Sequence, residues 1–252
     1  MAVTVLSGTS GALYYKPAGT TGTFSPSDVT IGTETMVVQA YLNLKAGDPV
    51  KFQVVDSSTG GSGTGTLPAG LSAGTTYYVK TYVASSGAMT VSATNGGSAV
   101  NLTDVGTAAA PNEFEVYYND YASVGQVQNW SFEVTRSEID VTTIGQSVGQ
   151  YAPFKTYISG FADGNGSASV YVTDEDAALS NRLVEDVLQR QQVGAAFRLY
   201  QDKQATEALS RSISMDAVLL SASFSVNPDD AQMVEVNFRP NNAPTFDLST
   251  SA

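Results

Sequence analysis

Apolar and polar positions alternate with a period of two in many short runs of this chain, and with a helical period in only one. Pro49-Val50-Lys51-Phe52-Gln53-Val54-Val55, Thr76-Tyr77-Tyr78-Val79-Lys80-Thr81-Tyr82, Met89-Thr90-Val91-Ser92-Ala93 and Phe114-Glu115-Val116-Tyr117-Tyr118 read as strands with one buried face. From Val127 to Thr135 the alternation is cleanest. Trp130, Phe132 and Val134 fall on one face and Ser131, Glu133 and Thr135 on the other, which predicts one packed and one wet surface. Phe154 to Phe161, Ser167 to Val172, Phe197 to Gln201, Ile213 to Val226 and Val234 to Arg239 add further strands. The run from Ser212 to Val226 exceeds the usual strand of about five or six residues. It predicts either a bulge near Leu219-Leu220, where the alternation slips, or a strand that extends past its own domain.

The helical period belongs to Leu179, Leu183 and Val187, with Val184 and Leu188 beside them, a stripe that must lie on a sheet. Thr173-Asp174-Glu175-Asp176 opens this helix as a capping box, with three acids at the positive end of the macrodipole, and Gly194 stops it. Turn chemistry marks the remaining joints. Asp163-Gly164-Asn165-Gly166 predicts a tight hairpin between two strands, Asn95-Gly96-Gly97 and Leu67-Pro68-Ala69-Gly70 predict turns, and Asn227-Pro228-Asp229-Asp230 turns between the last two strands. Ser57 to Thr66 reads as a glycine-rich loop tip.

Residues 41–118 are dense in Gly, Ser, Thr and Ala and differ in composition from their flanks. They read as a small β-domain inserted into a loop of the main one. The expected organisation is residues 1–40 as an N-terminal arm and first part of the main domain, 41–118 as the insert, 119–243 as the main domain and 244–252 as a C-terminal tail. The fold class expected is mainly β, a β-sandwich or barrel with one flanking α-helix plus the inserted module.

Charge and composition narrow the function. The 252 residues carry 12 basic and 24 acidic side chains, a net charge of −12. Tight duplex binding would have to overcome phosphate repulsion, whereas a surface past which DNA slides without sticking suits this sign, as does simple solubility. With neither cysteine nor histidine, disulfides, thiolate chemistry, a Ser-His-Asp triad and an ordinary zinc site are excluded. The first residues lack a secretory pattern and no run approaches the ~18 apolar residues of a membrane span. A soluble product made in the cytoplasm, without membrane partners, is expected.

Candidate chemistry is sparse. Asp163-Gly164-Asn165-Gly166-Ser167 resembles the start of a calcium loop but has Ala168 and Asp174 where an EF-hand needs Gly and a bidentate Glu. Asp174 to Asp176 reads as helix capping, and nothing marks Glu133, Glu138 or Asp140 as an acid pair across a groove. The glycines of Gly60 to Thr66 lack the Gly-Lys-Ser or Gly-Lys-Thr of a phosphate loop. Tyr14-Tyr15, Tyr77-Tyr78, Tyr82 and Tyr117-Tyr118 could make a sugar-binding platform, or pack at edges and interfaces. No catalytic, cofactor-binding or metal residue is assigned. The chain reads as a non-enzyme that works through surfaces meeting other copies of itself. The alternative is a glycan-binding surface adhesin that uses the tyrosines of the insert.

Several segments, in order, resemble the major tail tube proteins of long-tailed bacteriophages. They are Val124-Gly125-Gln126-Val127-Gln128-Asn129-Trp130-Ser131-Phe132-Glu133, Glu138-Ile139-Asp140-Val141-Thr142-Thr143-Ile144-Gly145, Ser159-Gly160-Phe161, and Asn227-Pro228-Asp229-Asp230-Ala231-Gln232 followed by Val234 to Phe238. The similarity runs from Ala122 to Pro240. The insert, through Leu67-Pro68-Ala69-Gly70-Leu71 and Tyr77-Tyr78-Val79, is similar to small β-modules of phage structural proteins. The resemblance implies a structural virion protein of the tail, assembled in the host cytoplasm. Six copies would form a ring, rings would stack into a hollow tube, and the insert would sit outside it. Its partners would be itself and other tail proteins, with genomic DNA passing through the lumen unbound and no cofactor required. Sheets of neighbouring copies would join edge to edge around the channel.

Overall fold

The computed structural model describes residues 10–119, 121–125, 127–142, 155–171, 177–188, 194–225 and 231–248. It is mainly β, built of antiparallel sheets with a single α-helix among the described residues. The chain divides into two compact units. One comprises Tyr14–Ser123 with Leu188–Phe197, the other Met1–Leu13, Val124–Val187 and Arg198–Ala252.

In the second of these units five strands lie in the order Ala196–Asp202, Arg211–Ser225, Met233–Pro240, Tyr157–Tyr171, Val127–Asp140, with the short strand Thr245–Asp247 added beside Arg211–Ser225. The core face of this sheet is legible in the pairings. Val170 opposes Val234, Ala168 opposes Val236, Gly166 opposes Phe238, and Phe238 in turn opposes Leu219. All of these apart from Gly166 are named among the buried apolar side chains, and directly opposed residues share a face. The register of the Arg211–Ser225 strand shifts between Leu219 and Ser221, so Leu220 is the extra residue of a bulge, at the position where the alternation slips.

The expected hairpin at Asp163-Gly164-Asn165-Gly166 does not form. Tyr157–Tyr171 is one continuous 15-residue strand, and Asn165 and Gly166 stand in its middle, opposite Glu133 and Phe132. The glycines are there for closeness of approach rather than for a turn. A Cβ on Gly166 would lie 2.3 Å from the Phe238 ring, and one on Gly164 would lie 2.6 Å from Pro240 and 3.3 Å from the Phe132 ring. Bulky rings from the two neighbouring strands fill the space that the glycines leave, as close packing requires. The chain reverses instead between Asp140 and Tyr157, where Val141 N–H donates to Thr156 O at 2.9 Å.

The helix spans Ala177–Val187 and packs on the Arg211–Ser225 and Met233–Pro240 strands. Leu183 is fully buried, as the stripe predicts, but Leu188 is exposed and the buried face also holds Arg182 and Asp186, one turn apart. The packed stripe is thus rotated from the purely apolar one, because a charged pair at i and i+4 occupies part of it. The capping-box residues Thr173 to Asp176 and the turn Asn227 to Asp230 lie outside the described residues.

The other unit is built on an eight-stranded sheet. Its order is Gly22–Phe24, Asn112–Tyr118, Pro49–Asp56, Tyr77–Val83, Ala88–Ser92, Thr35–Val37, Val29–Thr30, with Gly61–Ser62 paired to Pro49–Asp56. Phe24, Met36, Val50, Phe52, Val79, Met89, Val91, Leu102, Phe114 and Val116 form its core. Phe24 meets Phe52 edge to face at 6.1 Å and Phe114 at 5.3 Å. Composition placed the edges of this module at residues 41 and 118. Its sheet, however, already includes strands from Gly22 onward, because Gly22–Phe24 pairs with Phe114–Val116. The glycine-rich run expected as a loop tip folds back as structure. Gly61–Ser62 pairs with Val55 and Asp56, and Gly65–Thr66 pairs with Thr107 and Ala108. Only glycine permits this approach, since a Cβ on Gly65 would lie 2.1 Å from the Thr107 carbonyl oxygen.

Two stability measurements check this packing. Leu183→Ala should lower the unfolding free energy, read by urea denaturation, by about 2–5 kcal/mol; a neutral result would remove Leu183 from the core. Gly166→Ala should cost about 1–3 kcal/mol through overpacking, and Phe238→Leu in the same chain should recover part of that loss. A double-mutant cycle with no coupling between the two would show that Gly166 is not set against the ring.

Candidate assembly surface

Val127–Asp140 ends its sheet. It pairs along one side with Tyr157–Tyr171, and no described strand lies on the other side, which leaves the backbone groups of a 14-residue strand along an open margin. Register and alternation fix its two faces. Trp130, Phe132, Val134 and Arg136 oppose Ala168, Gly166, Gly164 and Ala162 on the core face, and Ser131, Glu133 and Thr135 oppose Ser167, Asn165 and Asp163 on the other.

Beyond Arg136 the chemistry of the faces exchanges. Continuing the same alternation, Glu138 and Asp140 follow Arg136 on the core-side face, while Ile139 and Val141 follow Ser137 on the formerly polar one. Ile139 lies directly opposite Ile158, and both are half exposed. Between the pairs Arg136–Ala162 and Glu138–Ser159, two residues of one strand, Gly160 and Phe161, oppose the single Ser137, which defines a β-bulge. Two side chains pin it. Arg136 Nε donates to Gly160 O at 3.1 Å, and Ser137 Oγ donates to Phe161 O at 3.2 Å. A Cβ on Gly160 would come within 2.3 Å of Ser137 Oγ, so the bulge needs glycine there. Phe161, held in this bulge on the Ser137–Ile139 side, is 91% exposed. The distal ribbon thus presents Phe161, Ile158, Ile139 and Val141 to solvent, a cluster beyond the scattered exposed apolar residues of an ordinary surface.

The remainder of that face is polar. Ser131 and Ser167 hydroxyls meet at 2.9 Å, Asn237 Nδ2 donates to Ser221 Oγ at 3.0 Å, and Arg239 lies 3.8 Å from Asp163. On the strands Val127–Asp140, Tyr157–Tyr171 and Met233–Pro240 this face carries Glu133, Asp163 and Glu235 with the cation Arg239, an acidic excess.

On the core side, past the end of the Met233–Pro240 strand, lies a groove of about 330 Å³. Val134, Ala162, Gly164, Pro240, Ala243 and Pro244 form its walls, and Asp163, Asn241 and Asn242 complete the lining. The far wall is anchored to the sheet. Asn241 N–H donates to Asp216 O at 2.8 Å, and Asn242 Nδ2 donates to Asp216 Oδ2 at 3.3 Å.

The other candidates from the sequence have structural employment. Asp163 to Ser167 is extended strand, not a chelating loop, and no cluster of three metal-ligating side chains occurs among the described residues. Glu133 and Glu138 sit on opposite faces of one strand. Asp140 accepts from Thr142 N–H at 2.9 Å and pairs with Lys155 at 3.2 Å, and these partners hold its carboxyl below the usual range. Tyr77 is buried, and its hydroxyl accepts from Ser72 N–H and donates to Gly70 O. The Tyr82 hydroxyl bridges Leu42 N–H at 2.8 Å and Gln39 O at 3.0 Å, and burial pushes its pKa up. Both rings are struts of their own unit, so the pair does not make a sugar platform.

One cluster went unnoticed in the sequence. Glu207, in a short turn of 3-10 helix, receives Tyr200 and Lys203 as donors and Arg198 Nη1 at 3.1 Å, while Lys203 Nζ lies 4.5 Å from the centre of the Tyr200 ring. Burial raises the Tyr200 pKa; it would raise that of Glu207 too, but hydrogen bonds from Lys203 and Tyr200 outweigh it and leave the carboxyl lowered. These groups satisfy one another and clasp the turn to its strand. Their successive spacings of two, three and four residues are a weak signal that only the fold gathers.

No protein-family model matches the sequence, and no curated protein sequence matches it. Among solved structures, the virion of a native gene transfer agent particle contains a chain 12% identical to this one, with a TM-score of 0.37, covering 50% of this chain and 88% of its own. A tail of an empty gene transfer agent particle, with C6 symmetry, is 12% identical at a TM-score of 0.37 over 51% of this chain and 87% of its own. The SPP1 tail tube is 12% identical at a TM-score of 0.34 over 52% of this chain and 72% of its own.

Proposed function

We propose that this chain is a structural subunit of a bacteriophage tail tube, a protein that works by joining copies of itself and not by catalysis. The observation that carries the reading is the 14-residue Val127–Asp140 strand, which has no described strand on one side and places large apolar residues on one face as far as Val134 and on the other at Ile139. A solitary soluble domain avoids both features, since an unpaired edge and an exposed apolar ribbon invite association. In a ring both are covered, because the edge pairs with a neighbouring sheet and the chain of pairings closes. The ordered segments between Ala122 and Pro240 that resemble tail tube proteins point the same way.

Under this reading six copies close into a ring and rings stack. The polar face carrying Glu133, Asp163 and Glu235 turns to the lumen, where an acidic, hydroxyl-rich wall lets DNA pass without the counterion release that drives sticking. The Gly22–Tyr118 module decorates the outside and other tail proteins cap the ends. The location that follows is the virion tail, after assembly in the host cytoplasm.

Electron microscopy and sedimentation of the purified protein test the assembly. Rings or tubes with six-fold symmetry are expected, and a protein that stays monomeric at all concentrations would overturn the proposal. Cryo-EM of the tubes should place Glu133, Asp163 and Glu235 on the channel wall. Finding them on the outer surface would end the conduit assignment while leaving assembly intact.

A further inference from the structure

We propose that the contact between neighbouring copies is a knob and hole, in which Phe161 of one copy seats in the groove beside Pro240 of the next. This rests on the self-assembly reading above and names the residues that meet. Phe161 is 91% exposed, yet its exposure is held in place: the Gly160–Phe161 bulge is pinned by hydrogen bonds from Arg136 and Ser137. A bulge that re-aims a large aromatic into water, with the half-exposed pair Ile139 and Ile158 next along the same ribbon, has the form of an anchor.

The hole has matching chemistry. Ala162 contributes almost no side chain opposite Arg136, and beside the place where Pro240 packs over Gly164 a depression lies between the ribbon and the Pro240–Pro244 segment. Its volume, about 330 Å³, accommodates a phenyl ring, and its walls are Val134, Pro240, Ala243 and Pro244. Half of the Val134 surface is left uncovered there. Burying a Phe side chain against such walls favours association by about tenfold or more.

Geometry excludes the same copy as the occupant. The knob lies on the Ser137–Ile139 face of the ribbon and the hole on the opposite, Val134 face. A second copy can use its own knob in turn, because each knob-to-hole contact leaves one hole and one knob free. Such an interface is heterologous, and it propagates until rotation closes a ring or runs on as a filament.

The chain contains no cysteine, which permits a direct test. In the full-length protein carrying Phe161→Cys and Ala243→Cys together, oxidation should give a ladder of covalent oligomers on a non-reducing gel. Each single variant should give dimers at most, and the two single variants mixed should give a 1:1 heterodimer. As a second measurement, Phe161→Ser should raise the concentration needed for assembly by about tenfold or more, while Phe161→Leu should retain most of it. If the unmodified protein forms rings but the double-cysteine variant gives no ladder, or Phe161→Ser assembles as well as the parent, the knob and hole is overturned and assembly stands. If the unmodified protein never assembles, both fail.

Discussion

A β-strand has two faces, and the sheet that ends in Val127–Asp140 has its apolar core on one of them. The Val127–Asp140 strand places its large apolar residues on one face as far as Val134 and on the other from Ile139 onward. Among the described residues the core lies on the first of these faces, and Ile139 is left half exposed on the other. The bulge at Gly160–Phe161, the groove at the end of the Met233–Pro240 strand and the open margin all lie within a few residues of that exchange, and each acquires a purpose if a second molecule completes the sheet.

The core that anchors this ribbon depends on a division of labour between small and large residues. Gly166, between Phe132 and Phe238, supplies space and its neighbours supply rings, so three strands approach as one layer. This explains why the sequence was misleading here. Asn-Gly flanked by alternating residues is the strongest short signal for a tight turn, and local chemistry alone cannot distinguish a glycine that bends the chain from one that makes room for a ring two strands away. The bulge at Leu220 was legible because it disturbs the alternation of its own strand. The bulge at Gly160 was not, since a one-residue slip among Ser159, Gly160 and Phe161 is visible only against the partner.

The Gly22–Tyr118 module shows the same limit. Its strands from Pro49, Tyr77, Ala88 and Asn112 follow from period-two patterning, but Gly22–Phe24 is too short to carry a pattern and is recruited by pairing with Phe114. The tyrosines were visible as residues but not as struts. Whether a Tyr hydroxyl faces a solvent-borne sugar or a backbone carbonyl of its own loop depends on loop geometry, and Tyr77 and Tyr82 took the second course. What composition did convey was negative knowledge: without His or Cys the familiar reaction centres have no ingredients, and attention moves to margins and faces.

A subunit that carries an unsheltered 14-residue margin is sticky in the interval between leaving the ribosome and finding its place. The outward-pointing backbone donors and acceptors of that margin will template any extended peptide that drifts near, including a misregistered sibling. Timing therefore becomes part of the design: a pre-formed seed that captures each newcomer quickly keeps the free pool dilute, and overproduction without such a seed should yield disordered fibres where orderly growth was wanted.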